Sequence, residues 1–311
     1  MRDVLRRLLA GELNEDEALA EIRRLQLDEL GGRARLDLGR FMRRGIPEVV
    51  LASGKTPSEA ARLAVALAEK QGQGLISRMT DAHRSALVEA AGAMRMVDYH
   101  ASTRVLREGF APETLDARVG ILTAGTSDVP VADEARMVIE ACGLQARLEA
   151  DLGVAGLHRF IGPLAAMLEW GADVLVVAAG MDGVLPGLIA GLVDVPVIGL
   201  PVSTGYGRGG SGEGALTTML QSCSTGLTVV NIDNGIGAGT AAVLIAQGRL
   251  RGRSMATTAS TSAPSSRKPK TPAAMVRDAS APPGTAKTRA SRPAATKMPA
   301  SSHGKPRRGR P

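Results

Sequence analysis

Aromatic side chains are scarce in this sequence. Phe41, Tyr99, Phe110, Phe160, Trp170 and Tyr206 are the only six among 311 residues. A protein that reads nucleic acid by stacking needs aromatics on a basic surface, and this chain offers almost none. Cysteine is nearly absent as well. Two residues, Cys142 and Cys223, make no disulfide framework, so a reducing cytoplasm is the simpler expectation. No apolar run approaches the roughly 18 residues of a membrane span; the stretch Val174–Met181 is soon cut by Asp182. The start, Met1-Arg-Asp-Val-Leu-Arg-Arg, carries charge where a secretory signal needs an apolar stretch. The expectation is a soluble cytoplasmic protein with no membrane partner.

Acidic residues are missing from one end only. Between Arg249 and Pro311 there are 15 basic residues and one acid, Asp278, whereas Met1–Gly248 holds 23 basic and 30 acidic residues. The overall net charge of +7 and the pI near 9.9 therefore divide into a body at −7 and a tail at +14. The tail is rich in Ala, Ser, Thr, Pro, Lys and Arg, contains no aromatic residue, and cannot offset its ordering entropy, so disorder is expected over 249–311. It has the charge to bind phosphate backbones non-specifically, with steep salt dependence. The acidic body has no claim on nucleic acid.

Two rhythms divide the body. Residues 1–28 read as helical, with Leu5, Leu8 and Leu9 at helical spacing and a second helix opening at Asn14-Glu-Asp-Glu. From there to about residue 115 the pattern is α+β. Short β-rich runs at 48–52, 74–76 and 94–99 alternate with helices opening at Thr56-Pro57 and near Thr80-Asp81. Over 116–248, apolar runs at 119–122, 145–150, 173–178, 195–200 and 227–232 are separated by helical stretches. Continuous apolar strands spaced by helices mean a parallel sheet covered on both faces. In such sheets ligands bind outside the carboxyl ends of the strands, and every strand end here is polar or glycine-rich.

Several of those ends carry candidate chemistry. Gly125-Thr126-Ser127-Asp128 opens a helix and suits a phosphate, though Ser and Asp also serve as ordinary helix caps. No Gly-Lys-Ser/Thr follows, so it is not a Walker loop. Ser203–Gly212, which holds Tyr206, Gly207 and Arg208, is so rich in glycine that it reads as a loop able to close over a ligand. His158-Arg159 begins a helix and fits an anionic substrate. His83 reads as exposed helix surface. Cys142 fits the buried end of a helix, whereas Cys223 lies among small polar residues, where its functional and structural readings both stand. Asp182 and Asp233 follow strands and read as bases, ribose or Mg²⁺ ligands, or plain turn-formers. Asp37, Arg40 and Arg43 fall at helical spacing on one face, the usual pattern of a salt-bridged surface.

Taken in order, these motifs resemble one family. Asp37-x-x-Arg40-x-x-Arg43-x-Gly45-x-Pro47-Glu48-Val49, Gly54-Lys55-Thr56, Leu122–Ala135, Asp151–Arg159, Ala179–Pro186, Gly191–Ile198, Ser203–Gly207, Ser222-Cys223 and Val230–Gly235 are similar to the LarB family of nickel-pincer cofactor biosynthesis. The likeness runs to about Gln247, and the tail has no counterpart. The second half also resembles, more distantly, aminoimidazole ribonucleotide carboxylase (PurE) of purine synthesis. This implies a flavodoxin-like three-layer sandwich, preceded by a smaller α+β domain, in a homo-oligomer such as a dimer or octamer.

The resemblance implies a carboxylase–hydrolase. Nicotinic acid adenine dinucleotide would gain CO₂, supplied as CO₂ or bicarbonate, at C5 of its pyridinium ring. Hydrolysis of the phosphoanhydride would then release AMP and leave pyridinium-3,5-biscarboxylic acid mononucleotide. Cys223 falls on the family's nucleophile and Asp182 on an acidic position suited to a base. Gly125, Thr126, Ser127 and Asp128 would hold phosphate or ribose, with His158, Arg159, Tyr206 and Gly207 around the dinucleotide. Asp37, Arg40 and Arg43 would engage the adenylate side or Mg²⁺, and no nickel would be bound. The rival enzyme reading is a purine-pathway carboxylase or mutase, which would need neither Cys223 nor the N-terminal domain. The rival of another class is a basic-tailed nucleic-acid-binding or scaffold protein.

Overall fold

The structure is a computed structural model that describes residues 2–24, 27–30 and 34–261. These residues lie in one compact unit, Met1–Ala263. The disorder expected of the tail lies, beyond residue 261, outside the described residues.

The N-terminal half begins with α1 (Arg2–Leu9) and α2 (Glu15–Arg24). Asn14 caps α2 reciprocally: Glu17 N donates to Asn14 Oδ1 at 2.8 Å and Asn14 N donates to Glu17 Oε2 at 2.9 Å. The helical reading overruns at 27–28, because β1 (Leu27–Leu30) pairs antiparallel with β2 (Ala34–Asp37). α3 (Arg40–Arg44) follows. The next elements are β3 (Val49–Leu51), α4 (Pro57–Gln71), β4 (Gln73–Ser77), α5 (Asp81–Ala91), β5 (Arg95–Tyr99) and β6 (Ser102–Leu106). Their four-stranded sheet has the order β3-β4-β6-β5, with β3 and β4 parallel and the other pairs antiparallel. Thr56 and Pro57 start α4 as expected, the Thr56 hydroxyl accepting from Glu59 N.

His83 corrects its sequence reading. It is buried and completes a capping box with Thr80, whose backbone N–H donates to His83 Nδ1. His83 Nε2 lies 3.1 Å from the Lys55 carbonyl and so carries the proton. The residue joins the starts of α4 and α5.

The second half builds β7 (Arg118–Thr123), α6 (Val129–Ala141), β8 (Gln145–Glu149), α7 (His158–Glu169) and β9 (Val174–Ala179). It continues through α8 (Val184–Ala190), β10 (Val197–Pro201), α9 (Glu213–Leu220), β11 (Leu227–Val229) and α10 (Gly235–Thr261). The five strands are all parallel, in the order β11-β10-β9-β7-β8. This is the expected flavodoxin-like order. β7, β9 and β10 are buried almost throughout, which is why they read as continuous apolar runs. One face packs on α6 and α10 through Val138, Ile139, Ala242 and Val243. The other packs on α7, α8 and α9 through Phe160, Met167, Ile189 and Met219. The result is the three-layer sandwich preceded by an α+β domain.

Two features were not expected. The apolar cluster around α6 also contains Leu75 and Tyr99 of the first sheet, so α6 is shared by both halves. α10 also runs past Gly248 to Thr261, and its Arg249 and Arg253 hydrogen-bond Asp173 at the start of β9.

Candidate active site

The chain leaves β7 for the edge strand β8 and then returns past β7 to β9. That reversal opens a crevice between the carboxyl ends of β7 and β9, where ligands bind in open α/β sheets. A cavity of about 470 Å³ lies there, lined by Gly125, Ser127, Asp128, Gly180, Asp182 and Tyr206 among others. A larger cavity of about 980 Å³, lined by Phe41, Phe110 and Cys142, lies at the far end of α6 and holds none of the candidate residues.

Asp128 organises the crevice from below. Its carboxylate is buried; Oδ2 accepts from Gly125 N at 2.8 Å and Oδ1 from Thr204 Oγ1 at 2.5 Å. Burial pushes its pKa up, against the hydrogen bonds from the Thr204 hydroxyl and the backbone of Gly125 and Gly180. One side chain thus joins the loops after β7, β9 and β10. It reaches the cavity wall, and each of its oxygens accepts from a protein donor. Thr126 and Ser127, next to it, are exposed. Thr204, the other partner, lies in the glycine-rich loop the sequence pointed to, but nothing in the sequence singled out its hydroxyl as the partner of Asp128.

Asp182 stands at the cavity rim, exposed, its Oδ1 within 3.4 Å of Val184 N at the start of α8. The turn that presents it is tight. Met181 has φ 46° and Gly183 φ 63°, and a Cβ on Gly183 would meet Ala215 Cα at 2.6 Å. Of the six non-glycine residues with positive φ among the described residues, Asp151, Met181, Ser211 and Asp233 all stand in loops at this end of the parallel sheet.

Cys223 is exposed, in the turn between α9 and β11. It lines a different cavity, of about 520 Å³, with Gly183, Val184, Gly187 and Ser222. Ser224 Oγ donates to the Gly187 carbonyl at 2.6 Å, and a Cβ on Gly187 would meet Ser222 Oγ at 2.7 Å. The serines on either side therefore seat the thiol against α8. The expected pair is not brought into one cavity: Asp182 lines the first and Cys223 the second, and α8 contributes Leu185 to one wall and Val184 and Gly187 to the other. Cys142, at the end of α6, is buried, which pushes its thiol up to about 12, as its structural reading requires.

Among the remaining candidates, Tyr206 is exposed over the first cavity and Gly207 follows it in a short 3₁₀ turn with φ 75°. His158 and Arg159 are exposed at the start of α7, and Arg159 is ion-paired with Asp151. They stand beyond Gly153 and Val154, which reach the cavity wall. Asp37, Arg40 and Arg43 do not share a helix face. Asp37 ends β2 and α3 begins only at Arg40, the turn between them having overridden the spacing. Arg43 still reaches Asp37 at 2.5 Å. Burial raises the pKa of neighbouring Glu48, which accepts from Asp37 N. None of the three lines the first cavity. Among the described residues no group of three His, Cys, Asp or Glu side chains is placed to hold a metal ion. No described helix is long and apolar enough to cross a membrane.

A parallel sheet with a polar crevice at its reversal point defines a PurE-like α/β protein with an added N-terminal domain. Residues 118–258 match the AIR carboxylase family and residues 27–109 the LarB/PurE-like N-terminal domain. An uncharacterized protein of Methanocaldococcus jannaschii is 40% identical over 253 residues, covering 79% of this chain and 97% of the relative. N5-carboxyaminoimidazole ribonucleotide mutases are similar over shorter spans. The Thermotoga maritima protein is 32% identical over 91 residues, 28% of this chain and 51% of its own length. A Mycobacterium tuberculosis protein is 32% identical over 132 residues, 41% of this chain and 70% of its own. The chain belongs to the LarB family.

Proposed function

We propose that the protein carboxylates the pyridinium ring of nicotinic acid adenine dinucleotide at C5 and hydrolyses its phosphoanhydride. The products are pyridinium-3,5-biscarboxylic acid mononucleotide and AMP. The observation that carries this reading is the pair of cavities that share the start of α8, one with a carboxylate at its rim and the other with an exposed thiol. Because C4 and C5 are adjacent, the pyridinium ring has to sit where the two cavities meet at the start of α8, within reach of both groups.

Pyridinium C5 is electron-poor and does not attack CO₂. Addition of the Cys223 thiolate to C4 places an electron pair on the ring nitrogen, and the resulting enamine makes C5 nucleophilic. C5 then bonds to the carbon of CO₂, whose oxygen takes the negative charge. Asp182 accepts the C5 proton. The electrons of that C–H bond restore the ring and expel the thiolate, which suits sulfur as both nucleophile and leaving group. Water attacks phosphorus in the second step and AMP departs. Ser127, Thr126 and the backbone at the start of α6 face the phosphates, while Tyr206 and Gly207 cover them. His158 and Arg159 lie toward the outer end of the dinucleotide. Asp37, Arg40 and Arg43 serve the adenylate from the N-terminal domain, and a homo-oligomer is the working form. The purine-pathway alternative accounts for neither the exposed thiol nor residues 27–109.

The test is incubation of purified protein with the dinucleotide, Mg²⁺ and bicarbonate, followed by mass analysis. AMP and the dicarboxylated mononucleotide should form together. Carboxylation of aminoimidazole ribonucleotide with no reaction of the dinucleotide would sink the reading.

A further inference from the structure

The Ser203–Gly212 loop has two anchors at its base, and one of them is held by the N-terminal domain. Thr204 is fixed to Asp128 and, through its carbonyl, to Met181 N at 3.0 Å. Ser203 N donates to Asp233 Oδ1 at 2.8 Å. Asp233 is itself held in an unfavourable conformation, φ 54°, with its N–H donating to the Pro201 carbonyl. What fixes its other side is Arg78, at the end of β4. Arg78 Nη2 donates to the Asp233 carbonyl at 2.5 Å across 155 residues of sequence. Arg78 also has positive φ, 56°, so two non-glycine residues keep a strained backbone where they meet.

A third group completes the contact. Glu134 of α6 is buried, with Oε1 3.7 Å from Arg78 Nε and Oε2 without a hydrogen-bond partner. Gly235, two residues after Asp233, packs on it; a Cβ there would meet Glu134 Cβ at 2.7 Å. The guanidinium is thus aimed by a buried carboxylate on one side while it grips the β11 turn on the other, a use of its planar fork that a lysine cannot reproduce.

We infer that Arg78 is a positioning residue: the N-terminal domain uses it to clamp Asp233 and thereby set the base of the Ser203–Gly212 loop over the candidate active site. The consequence for catalysis rests on the proposed reading of that loop as the cover of the dinucleotide; the clamp itself does not. It gives the N-terminal domain a part in the site although, of the residues lining the first cavity, none comes from that domain.

Amide hydrogen exchange on the full-length chain tests the clamp without any substrate. In Arg78→Ala, peptides over 203–212 should exchange at least tenfold faster, while those of β7 and β9 stay as protected as in the wild type. Asp233→Ala, which removes the acceptor of Ser203 N but keeps the carbonyl that Arg78 holds, should do the same, and the double variant should exceed neither single variant, because the two bonds act in series. Unchanged exchange over 203–212, or additive effects, would overturn the proposal. Should Arg78→Ala not fold, Arg78→Lys carries the test, with faster loop exchange expected and an unchanged loop overturning it. With nicotinic acid adenine dinucleotide and bicarbonate, the variants should raise KM about tenfold with kcat changed less than threefold. Faster loop exchange with an unchanged KM would support the clamp and refute the loop's role as substrate cover.

Discussion

The Thr204 hydroxyl donates to the buried Asp128 carboxylate at 2.5 Å, joining segments 76 residues apart. Because Asp128 also takes the Gly125 N–H, a single side chain fixes the relation between the turn after β7 and the glycine-rich loop. Removing it leaves buried donors without partners, which costs about 1–3 kcal/mol. Asp128→Ala should lower Tm accordingly and reduce kcat/KM by about a hundredfold, the scale of a displacement near one ångström. Asp128→Asn keeps an acceptor and should lose less. Equal, wild-type-like kinetics in both variants would remove the positioning role.

Cys223 is exposed and its neighbours, not its own thiol, seat the turn through Gly187. Cys223→Ala should therefore leave thermal stability unchanged within about 0.5 kcal/mol. Carboxylation should fall on the order of a thousandfold or more, as for other removed nucleophiles. Intact-mass analysis of the wild type with the dinucleotide should detect a covalent adduct that the variant lacks.

Glu134 makes folding stability depend on pH. Burial, with the Asp233 charge adding to it and Arg78 opposing it, raises its pKa from 4.5 to about 7. Between these values the folded chain holds a proton that the unfolded chain releases, so stability falls as pH rises through that window and levels off above it. Glu134→Gln should abolish that slope and be more stable than the wild type at pH 8, by on the order of 2–3 kcal/mol. Urea denaturation at pH 5 and pH 8 measures the difference, and an unchanged slope in the variant would contradict it.

The parallel sheet was legible in the sequence because β7, β9 and β10 are buried on both faces and hold hardly any polar side chains. β6 was not, although all five of its residues are buried. Its Thr103 donates to Asp98, and its Arg104 to Gln73 and the Glu140 carbonyl, partners that no local pattern reveals. The same holds at the site. Gly125, Ser127, Asp128 and Asp182, which line the first cavity, stood out because they sit at strand ends, where ligands bind in open α/β sheets. That Asp128 faces inward, that Asp37 ends a strand, and that Asp182 and Cys223 line separate cavities are facts of long-range packing.

The boundary between body and tail shows the same limit and yields a further test. Charge counting places the boundary at Gly248, and a chain cut there would be expected to fold unharmed. α10 continues to Thr261, however, and Asp173, 1% exposed, is served from beyond the cut. Arg253 Nη2 donates to its Oδ1 at 2.6 Å and Arg249 Nη1 to its carbonyl at 2.8 Å, while its Oδ2 accepts from Arg118 N. Removing both arginines leaves a buried carboxylate with one neutral donor at the edge where β7 and β9 pair. The arginines are half exposed, so solvent screens part of their effect, and a loss of about 1–3 kcal/mol follows. A chain ending at Gly248 should melt several degrees below one ending at Ala263, and Arg253→Ala alone should account for part of the gap. If both truncations melt together, the helix beyond Gly248 contributes nothing to the fold and the boundary belongs where the charge count puts it.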